Sequence, residues 1–115
     1  MVEQIRKGDW VQTYTGKKFW PLDPRPEEVD IEDIAHALSL ICRFNGHCNE
    51  FYSVAQHSVI VSVIVKKSEA FPALLHDSAE AYFADIVNPV KKFLPRISEV
   101  EEGLEKVIFQ HFGIK

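Results

Sequence analysis

The stretch that decides the fold is LLHDSAEAYFADI, residues 74–86. Pro72 suits the first turn of a helix, and the apolar residues that follow predict a core helix over residues 72–84. Unpaired charge is costly in a core helix, yet this stretch carries four ionisable residues. They are His76, Asp77, Glu80 and Asp85. Their place among Leu, Ala, Tyr and Phe residues needs a physical reason.

Helical geometry brings three of these side chains together. Successive residues are about 100° apart, so relative to His76, Asp77 lies at about 100° and Glu80 at about 40°. All three therefore face the same space. Asp85 would lie at about 180° in a continuous helix, so it joins them only if the helix ends or bends before it. Pro89, just beyond, favours such an end.

A shared divalent cation would explain these charges. An adjacent histidine and aspartate can supply one imidazole nitrogen and one carboxylate oxygen to a metal ion. His57 is the candidate third ligand, because it lies among Val and Ile residues of another expected helix. Glu80 could then contact a water without being a ligand. The residues alone leave simpler roles open: His57 as a hydrogen-bonded core histidine, His76 and Asp77 as a surface pair, and Glu80 as a solvated side chain.

The N-terminal part predicts a small β-hairpin. Residues 9–21, DWVQTYTGKKFWP, alternate aromatic or β-branched residues with polar ones around Thr15 and Gly16. The next residues, PLDPRPEEVD, contain three prolines, which rule out a continuous helix and predict an extended connector to about residue 29.

Helices are expected through the rest of the chain, from about residue 30 to 112. Asp30 is the expected N-cap of a helix over 31–43, and Ser53 with Gln56 opens a helix over 53–66. Residues 59–65, VIVSVIV, would also suit a strand, but the cap and the length favour a helix. A helical turn over 89–94 is expected to stop at Pro95, before a last helix over 98–112 that Gly113 ends. The expected fold is all-α, a helical bundle with a small N-terminal β-hairpin.

Composition restricts the class of protein. A chain of 115 residues favours one domain, and a net charge of −4 with no Lys/Arg cluster larger than a pair disfavours binding to a nucleic-acid duplex. The apolar run at 59–65 is too short to span a membrane, and charges at the N-terminus interrupt any secretory signal. Cys42 and Cys48 match no zinc-binding pair and are expected to be reduced thiols of a cytoplasmic protein.

The ordered set of motifs resembles the HD-domain phosphohydrolases, and within them the bacterial 5′-deoxynucleotidases and phage-type HD hydrolases. In that branch an Arg precedes an (A/E)-(Q/E)-H-S helix, followed by H-D-(A/S)-x-E-x-x-x-x-D and a Pro-Val-Lys segment. Here these are Arg43, AQHS at 55–58, HDSAEAYFAD at 76–85 and PVK at 89–91. The resemblance covers about residues 30–110 and implies a single HD-type domain.

The resemblance also implies a role for each site residue. His57, His76 and Asp77 would ligate a divalent transition metal, such as Mn²⁺, Co²⁺, Zn²⁺ or Fe²⁺. Glu80 would position or deprotonate the attacking water, and Asp85 would orient water or protonate the leaving oxygen. Two further residues would bind the substrate: Arg43 its phosphate, and Phe44 its nucleoside.

The implied activity is hydrolysis of a small nucleotide, with a deoxynucleoside 5′-monophosphate first and a deoxynucleoside triphosphate second. The family completes its metal site with an Asp on a later helix, and the chain ends at Lys115 without one. We therefore expect either a piece of a longer protein or a short domain that lacks this C-terminal helix. A catalytically impaired ligand-binding protein is the competing reading, and a homodimer stays open.

Overall fold

The computed structural model describes residues 5–115. It is mostly helical, with a two-stranded antiparallel sheet near the N-terminus. The strands are β1 (Val11–Gln12) and β2 (Lys18–Phe19), and the α-helices are α1 (Ile31–Leu40), α2 (Val54–Ile64), α3 (Ala70–Leu74), α4 (Asn88–Lys91) and α5 (Pro95–His111). Short 3-10 turns occupy Pro26–Glu28, Arg43–Gly46, Lys67–Glu69 and Ser78–Tyr82. The expected helical fold with a small hairpin is therefore confirmed.

The hairpin is anchored to the first helix by a buried carboxylate. Val11 pairs with Phe19, and Gly16 takes a left-handed φ of 91° in the turn, as its place in the sequence predicts. Asp33 of α1 is 3% exposed and accepts hydrogen bonds from the Thr15 backbone N–H at 2.7 Å and the Thr15 hydroxyl at 3.1 Å. These bonds satisfy a charge that burial would otherwise penalise.

Helix α1 begins where its cap predicts but ends earlier than expected. The Asp30 side chain accepts from the Glu32 N–H, as an N-cap does. The expected end at residue 43 is wrong, because the chain becomes extended at Ile41 and Cys42 forms a β-bridge with Ser53. Val54 N–H donates to the Ile41 carbonyl at 2.9 Å. This pairing joins the end of α1 to the start of α2.

Helix α2 confirms the capping argument over β-propensity. The Ser53 hydroxyl accepts from the Gln56 N–H at 3.0 Å, and residues 54–64 are helical despite their Val and Ile content. The helix ends two residues before the expected position, at Ile64.

The expected continuous helix over 72–84 is wrong. Helix α3 ends at Leu74, and the chain turns through residues 75–77 before the 3-10 turn Ser78–Tyr82. In a continuous helix the Ala73 carbonyl would accept from the Asp77 N–H. Here it accepts instead from the His76 backbone at 3.3 Å and from His76 Nδ1 at 2.6 Å. Local side-chain bonds of this kind compete with the helix ladder.

The C-terminal region also differs in its boundaries. Pro95 begins α5 rather than only breaking the preceding helix, because proline is well suited to a first helical position. Helix α5 ends at His111, and Gly113 follows with a φ of 70°, while the Ile114 N–H reaches back to the Phe109 carbonyl at 2.8 Å. The predicted glycine termination is confirmed.

The core joins α1 and α5 to the hairpin and the Ser78–Tyr82 turn. The rings of Phe19 and Tyr82 stack with centroids 3.8 Å apart, and Leu104 and Ile108 of α5 are fully buried. Helix α2 packs on α3, and α1 packs on the Ser78–Tyr82 turn. In residues 5–115, no helix is long and apolar enough to cross a membrane.

Candidate metal centre

The turn at residues 75–77 directs His76 and Asp77 toward α2. Ser78 is fully buried, and its hydroxyl donates to the Leu75 carbonyl at 2.7 Å. This hydrogen bond stabilises the turn. His57 lies on α2, one turn after the Ser53 cap, and its backbone N–H donates to the Ser53 carbonyl at 3.1 Å. The contact between α2 and α3 therefore brings His57 to the turn.

Three predicted ligands converge in the structure. Asp77 Oδ2 lies 2.9 Å from His76 Nε2 and 3.6 Å from His57 Nε2, and the donor atoms of all three residues lie within 4.8 Å of one another. Within the described part of the chain, this is the one group of His, Cys, Asp and Glu residues with such spacing. Two imidazole nitrogens and a carboxylate oxygen suit a divalent transition metal, so the donor set fits the group that the sequence predicts.

The Ala73 carbonyl fixes the orientation of His76. A carbonyl can only accept, so His76 Nδ1, 2.6 Å away, carries the proton of that bond. The other ring nitrogen, Nε2, then faces Asp77 and His57. Histidine ligands of metals are commonly held by this kind of bond from the second nitrogen.

The electrostatics of the metal-free cluster separate the two histidines. The hydrogen bond to Asp77 raises the pKa of His76, whereas burial, followed by the charge of Arg43, lowers the pKa of His57. Burial favours a higher pKa for Asp77, but the hydrogen bond from His76 and the two histidine charges outweigh it and lower that pKa. The His76–Asp77 pair thus holds a proton that a metal ion would displace.

Glu80 lies beside this cluster in a different protonation state. Burial, then the charge of Asp77, and then a hydrogen bond with Asp85 raise the pKa of Glu80 to about 9. The carboxyl group is therefore protonated at neutral pH while Asp77 stays negatively charged. Neutralisation of Asp77 would lower the pKa of Glu80 and make it a better base.

Asp85 reaches the site because the helix ends before it. The 3-10 turn stops at Tyr82, and Ala84 has a φ of 130°, which redirects the chain. The sequence required the helix to end or bend before Asp85 if Asp85 was to join the other acidic side chains, and the helix does end before it. The His76, Asp77 and Glu80 side chains also converge, but through the turn at 75–77 and not through one helical face.

An open pocket of about 570 Å³ lies against the cluster. Its walls carry three acidic side chains, two basic side chains, one amide side chain and several apolar residues. They are Arg43, Phe44, Asp77, Glu80, Asp85, Ile86, Val87, Asn88, Pro89 and Lys91. Every residue predicted for catalysis or substrate binding therefore lines one pocket.

A strained loop presents Arg43 and Phe44 to this pocket. The Arg43 N–H donates to the Tyr52 carbonyl at 2.8 Å, while Phe44 and Asn45 take left-handed φ values of 58° and 53°. Such values are costly for residues with a side chain, and strain of this kind concentrates at functional sites. The Arg43 guanidinium lies over the Phe44 ring, 4.6 Å from its centroid, which orients both groups.

Lys91 is a pocket residue for which the sequence predicted no role, although its Pro-Val-Lys segment was noted. Its ammonium binds both carboxylate oxygens of Glu101 on α5, at 3.0 and 2.8 Å. Only the packing of α4 on α5 brings this pair together. The charge of Glu105 on α5 also raises the pKa of His76, although it contributes less than Asp77 and the Ala73 carbonyl do.

Two of the three histidines outside the cluster make contacts of their own. His36 is exposed and stacks on Tyr14 with centroids 3.7 Å apart. His111 donates from Nδ1 to the Pro26 carbonyl at 2.7 Å. These contacts account for both side chains without a ligand.

The fold and site define a mostly helical protein with a candidate His-His-Asp metal centre. No protein-family model matches the chain. It is 44% identical over 105 residues to a protein of Escherichia coli (strain K12) named uncharacterized protein YfdR, an alignment that covers 91% of this chain and 59% of YfdR. It is 32% identical over 118 residues to the uncharacterized protein RCAP_rcc00048 of Rhodobacter capsulatus, covering 94% of this chain and 60% of that protein. The chain thus spans about three fifths of the length of these relatives.

Proposed function

We propose that this protein is a metal-dependent HD-type phosphohydrolase whose substrate is a small nucleotide, first a deoxynucleoside 5′-monophosphate. The observation that carries the proposal is the convergence of His57, His76 and Asp77 within 4.8 Å at the edge of a pocket. Three protein donors of mixed nitrogen and oxygen type leave room for water and substrate on a divalent ion.

The substrate end of the pocket supports a phosphate ester. Arg43 supplies a planar, permanently charged guanidinium that can hold two phosphate oxygens at once. The Phe44 ring is 50% exposed and lies beside it, so it offers an apolar face to a base or a sugar. A charged group next to an aromatic face matches the two ends of a nucleoside monophosphate.

The carboxylates supply the acid–base chemistry. A bound divalent ion would act as a Lewis acid toward the phosphoryl group and the attacking water. Glu80 holds or accepts a proton of the attacking water, and Asp85, hydrogen-bonded to Glu80, donates a proton toward the leaving oxygen. Arg43 binds the phosphoryl oxygens in the substrate and in the transition state alike, so it contributes mainly to substrate binding.

Lys91 favours a second candidate substrate, a deoxynucleoside triphosphate. Lys91 lines the pocket and adds a second basic side chain to Arg43, while its ammonium is paired with Glu101. Further phosphates would require such additional positive charge.

A phosphate-release screen tests the proposal. The purified chain, loaded with Mn²⁺ or Co²⁺ and checked by elemental analysis, is incubated with deoxynucleoside monophosphates, ribonucleoside monophosphates and deoxynucleoside triphosphates. We expect metal-dependent phosphate release, fastest from a deoxynucleoside monophosphate and slowed by roughly 10²–10⁴-fold in Glu80→Gln. The matched control is Glu99→Gln, at an exposed glutamate of α5. A metal-loaded protein that hydrolyses none of these compounds would be a ligand-binding protein, and the proposal would be wrong.

A further inference from the structure

The two cysteines of the chain stand at the two ends of the loop that carries Arg43 and Phe44. Cys42 Sγ and Cys48 Sγ are 3.5 Å apart, and both are free thiols. A disulfide needs its sulfurs about 2.0 Å apart, so the two atoms have roughly 1.5 Å to close. Both residues are half-buried, which leaves them within reach of a small oxidant.

The fold of the loop creates this proximity. On one side, the β-bridge between Cys42 and Ser53 fixes the backbone of Cys42. On the other, left-handed conformations from Phe44 to Gly46 reverse the chain, and the His47 N–H donates to the Phe44 carbonyl at 3.0 Å. The Cys48 thiol also lies 4.0 Å from the Arg43 carbonyl. The sulfurs are therefore close as a result of the same backbone conformation that presents Arg43.

We infer that Cys42 and Cys48 are a redox modification site, forming a reversible disulfide that fixes the loop of Arg43 and Phe44. The oxidant is a low-molecular-weight disulfide such as oxidised glutathione. One protein thiolate attacks it, forms a mixed disulfide and expels one small thiolate; the second protein thiolate attacks the mixed disulfide and expels the other. Two protein thiols become one disulfide, the oxidant becomes two thiols, and the two protons pass to the expelled thiolates.

The exchange depends on pH in a defined direction. The hydrogen bond with Cys42, followed by burial, raises the pKa of Cys48. Because the thiolate is the reactive form, oxidation is slow at neutral pH and becomes faster as the pH rises.

The consequence for the site rests on the proposed function. The left-handed conformations of Phe44 and Asn45 are costly, so an unlinked loop can relax away from the pocket. A disulfide holds Arg43 in place and lowers KM for the nucleotide several-fold. It leaves kcat nearly unchanged, because His57, His76 and Asp77 lie on other elements.

Intact-mass measurement tests the disulfide without reference to activity. The full chain is equilibrated with mixtures of oxidised and reduced glutathione at pH 8, quenched with acid, and alkylated. We expect loss of two hydrogen atoms within one chain and a peptide that links Cys42 to Cys48, both reversed by reduction. Cys42→Ser and Cys48→Ser should each yield only a glutathione adduct. An unmodified chain, adducts on both cysteines, or a crosslinked dimer would refute the inference.

Trypsin digestion tests the effect on the loop in the wild-type chain. Arg43 is a cleavage site inside the loop, so fixing the loop should slow cleavage after Arg43 several-fold in the oxidised protein. Cleavage after Lys66 and Lys67, outside the loop, is the internal control. Equal cleavage rates at Arg43 in the two redox states would show that the disulfide does not fix the loop. If the reduced protein released no phosphate, the proposed function would be in doubt. The intact-mass and trypsin measurements would still test the disulfide, because neither depends on activity.

Discussion

The Nε2 atom of His57 lies 3.6 Å from Oδ2 of Asp77, although one residue is near the start of a helix and the other is in a turn after a different helix. This distance is too long for a strong hydrogen bond and leaves a gap between two donor atoms. His76 Nε2, 2.9 Å from the same carboxylate oxygen, completes the group. These three atoms are the ones through which we propose that the chain would hold a divalent cation.

Measurements of metal content should distinguish the three proposed metal ligands from Glu80, which we expect not to bind the metal. We expect His57→Ala, His76→Ala and Asp77→Ala to lose bound Mn²⁺ or Co²⁺, because each removes a donor of the cluster. Glu80→Gln should keep the metal and lower kcat by roughly 10²–10⁴-fold, the usual scale of general acid–base catalysis. Elemental analysis and phosphate release measure the two effects, and His36→Gln, at an exposed histidine, is the control. If Glu80→Gln strips the metal while His76→Ala retains it, the assigned roles are wrong.

Metal affinity should be modest and should depend on pH. The cluster offers three protein donors, whereas divalent transition metals take four to six, so water must fill the remaining positions. The raised pKa of His76 means that a proton must leave before Nε2 can bind, so affinity should fall as the pH is lowered. Isothermal titration with Mn²⁺ at several pH values measures both. Sub-micromolar affinity in a monomeric sample would show that another residue, such as Asp85 or a glutamate of α5, completes the site.

Arg43 should control substrate binding more than turnover. Its removal takes away charge-assisted hydrogen bonds worth about 1.5–3 kcal/mol, which corresponds to an increase in KM of roughly 10- to 100-fold in Arg43→Ala. Arg43→Lys should recover only part of this, because lysine keeps the charge but lacks the planar fork. Steady-state kinetics measure the change, with Arg96→Ala at an exposed arginine as the control. An unchanged KM in Arg43→Ala would remove Arg43 from the site.

Lys91 should distinguish the two candidate substrates. Lys91→Met removes the second cation of the pocket, so KM should rise more for a deoxynucleoside triphosphate than for a monophosphate. Glu101→Gln is the matched variant, since it weakens the ion pair with Lys91 but keeps the ammonium. Both variants should lower the free energy of unfolding by no more than about 1 kcal/mol, because the pair is only partly buried. Equal KM changes for the two substrates in Lys91→Met would argue against triphosphate recognition.

Tyr82 should make the protein sensitive to alkaline pH. Its hydroxyl is buried, and burial raises the pKa of Tyr82 from 10.0 to about 12, against a smaller opposing effect of the Asp30 backbone. Since the folded pKa lies above the unfolded value, the folded state binds the proton more tightly. The stability of the neutral form is fully present below pH 10 and is lost as the pH rises toward 12.

The variant Tyr82→Phe tests this directly. We expect it to reduce the alkaline loss of stability by about 1 kcal/mol, measured by urea unfolding at pH 9 and pH 11. Tyr14→Phe, at a ring that is 65% exposed, is the matched control. An identical pH dependence in Tyr82→Phe and the wild-type protein would show that Tyr82 does not titrate in this range.

The sequence predicted those parts of the fold that depend on short-range bonds. Asp30 and Ser53 cap α1 and α2 through N–H groups two and three residues away, and Gly16 and Gly113 provide the left-handed conformations of a turn and a helix end. These features need only neighbouring residues, so their patterns are readable in the chain. The expected metal ligands, catalytic residues and substrate-binding residues were named from spacing and motif order, whereas Lys91 was not, and all of these roles stay predictions.

Only the tertiary structure decided how those residues meet. His76 and Asp77 lie in a turn rather than on a helical face because a side-chain bond to Ala73 replaces a helical one, and residue spacing does not reveal that competition. Lys91 meets Glu101, and Cys42 meets Cys48, through the packing of elements and the path of a loop. The sequence thus determined the presence of α1, α2 and α5, the caps and the identity of the ionisable groups, but not the break in the expected helix over 72–84. The distances among those groups were decided by packing, because contacts between separate elements depend on the whole core and not on local hydrogen bonds.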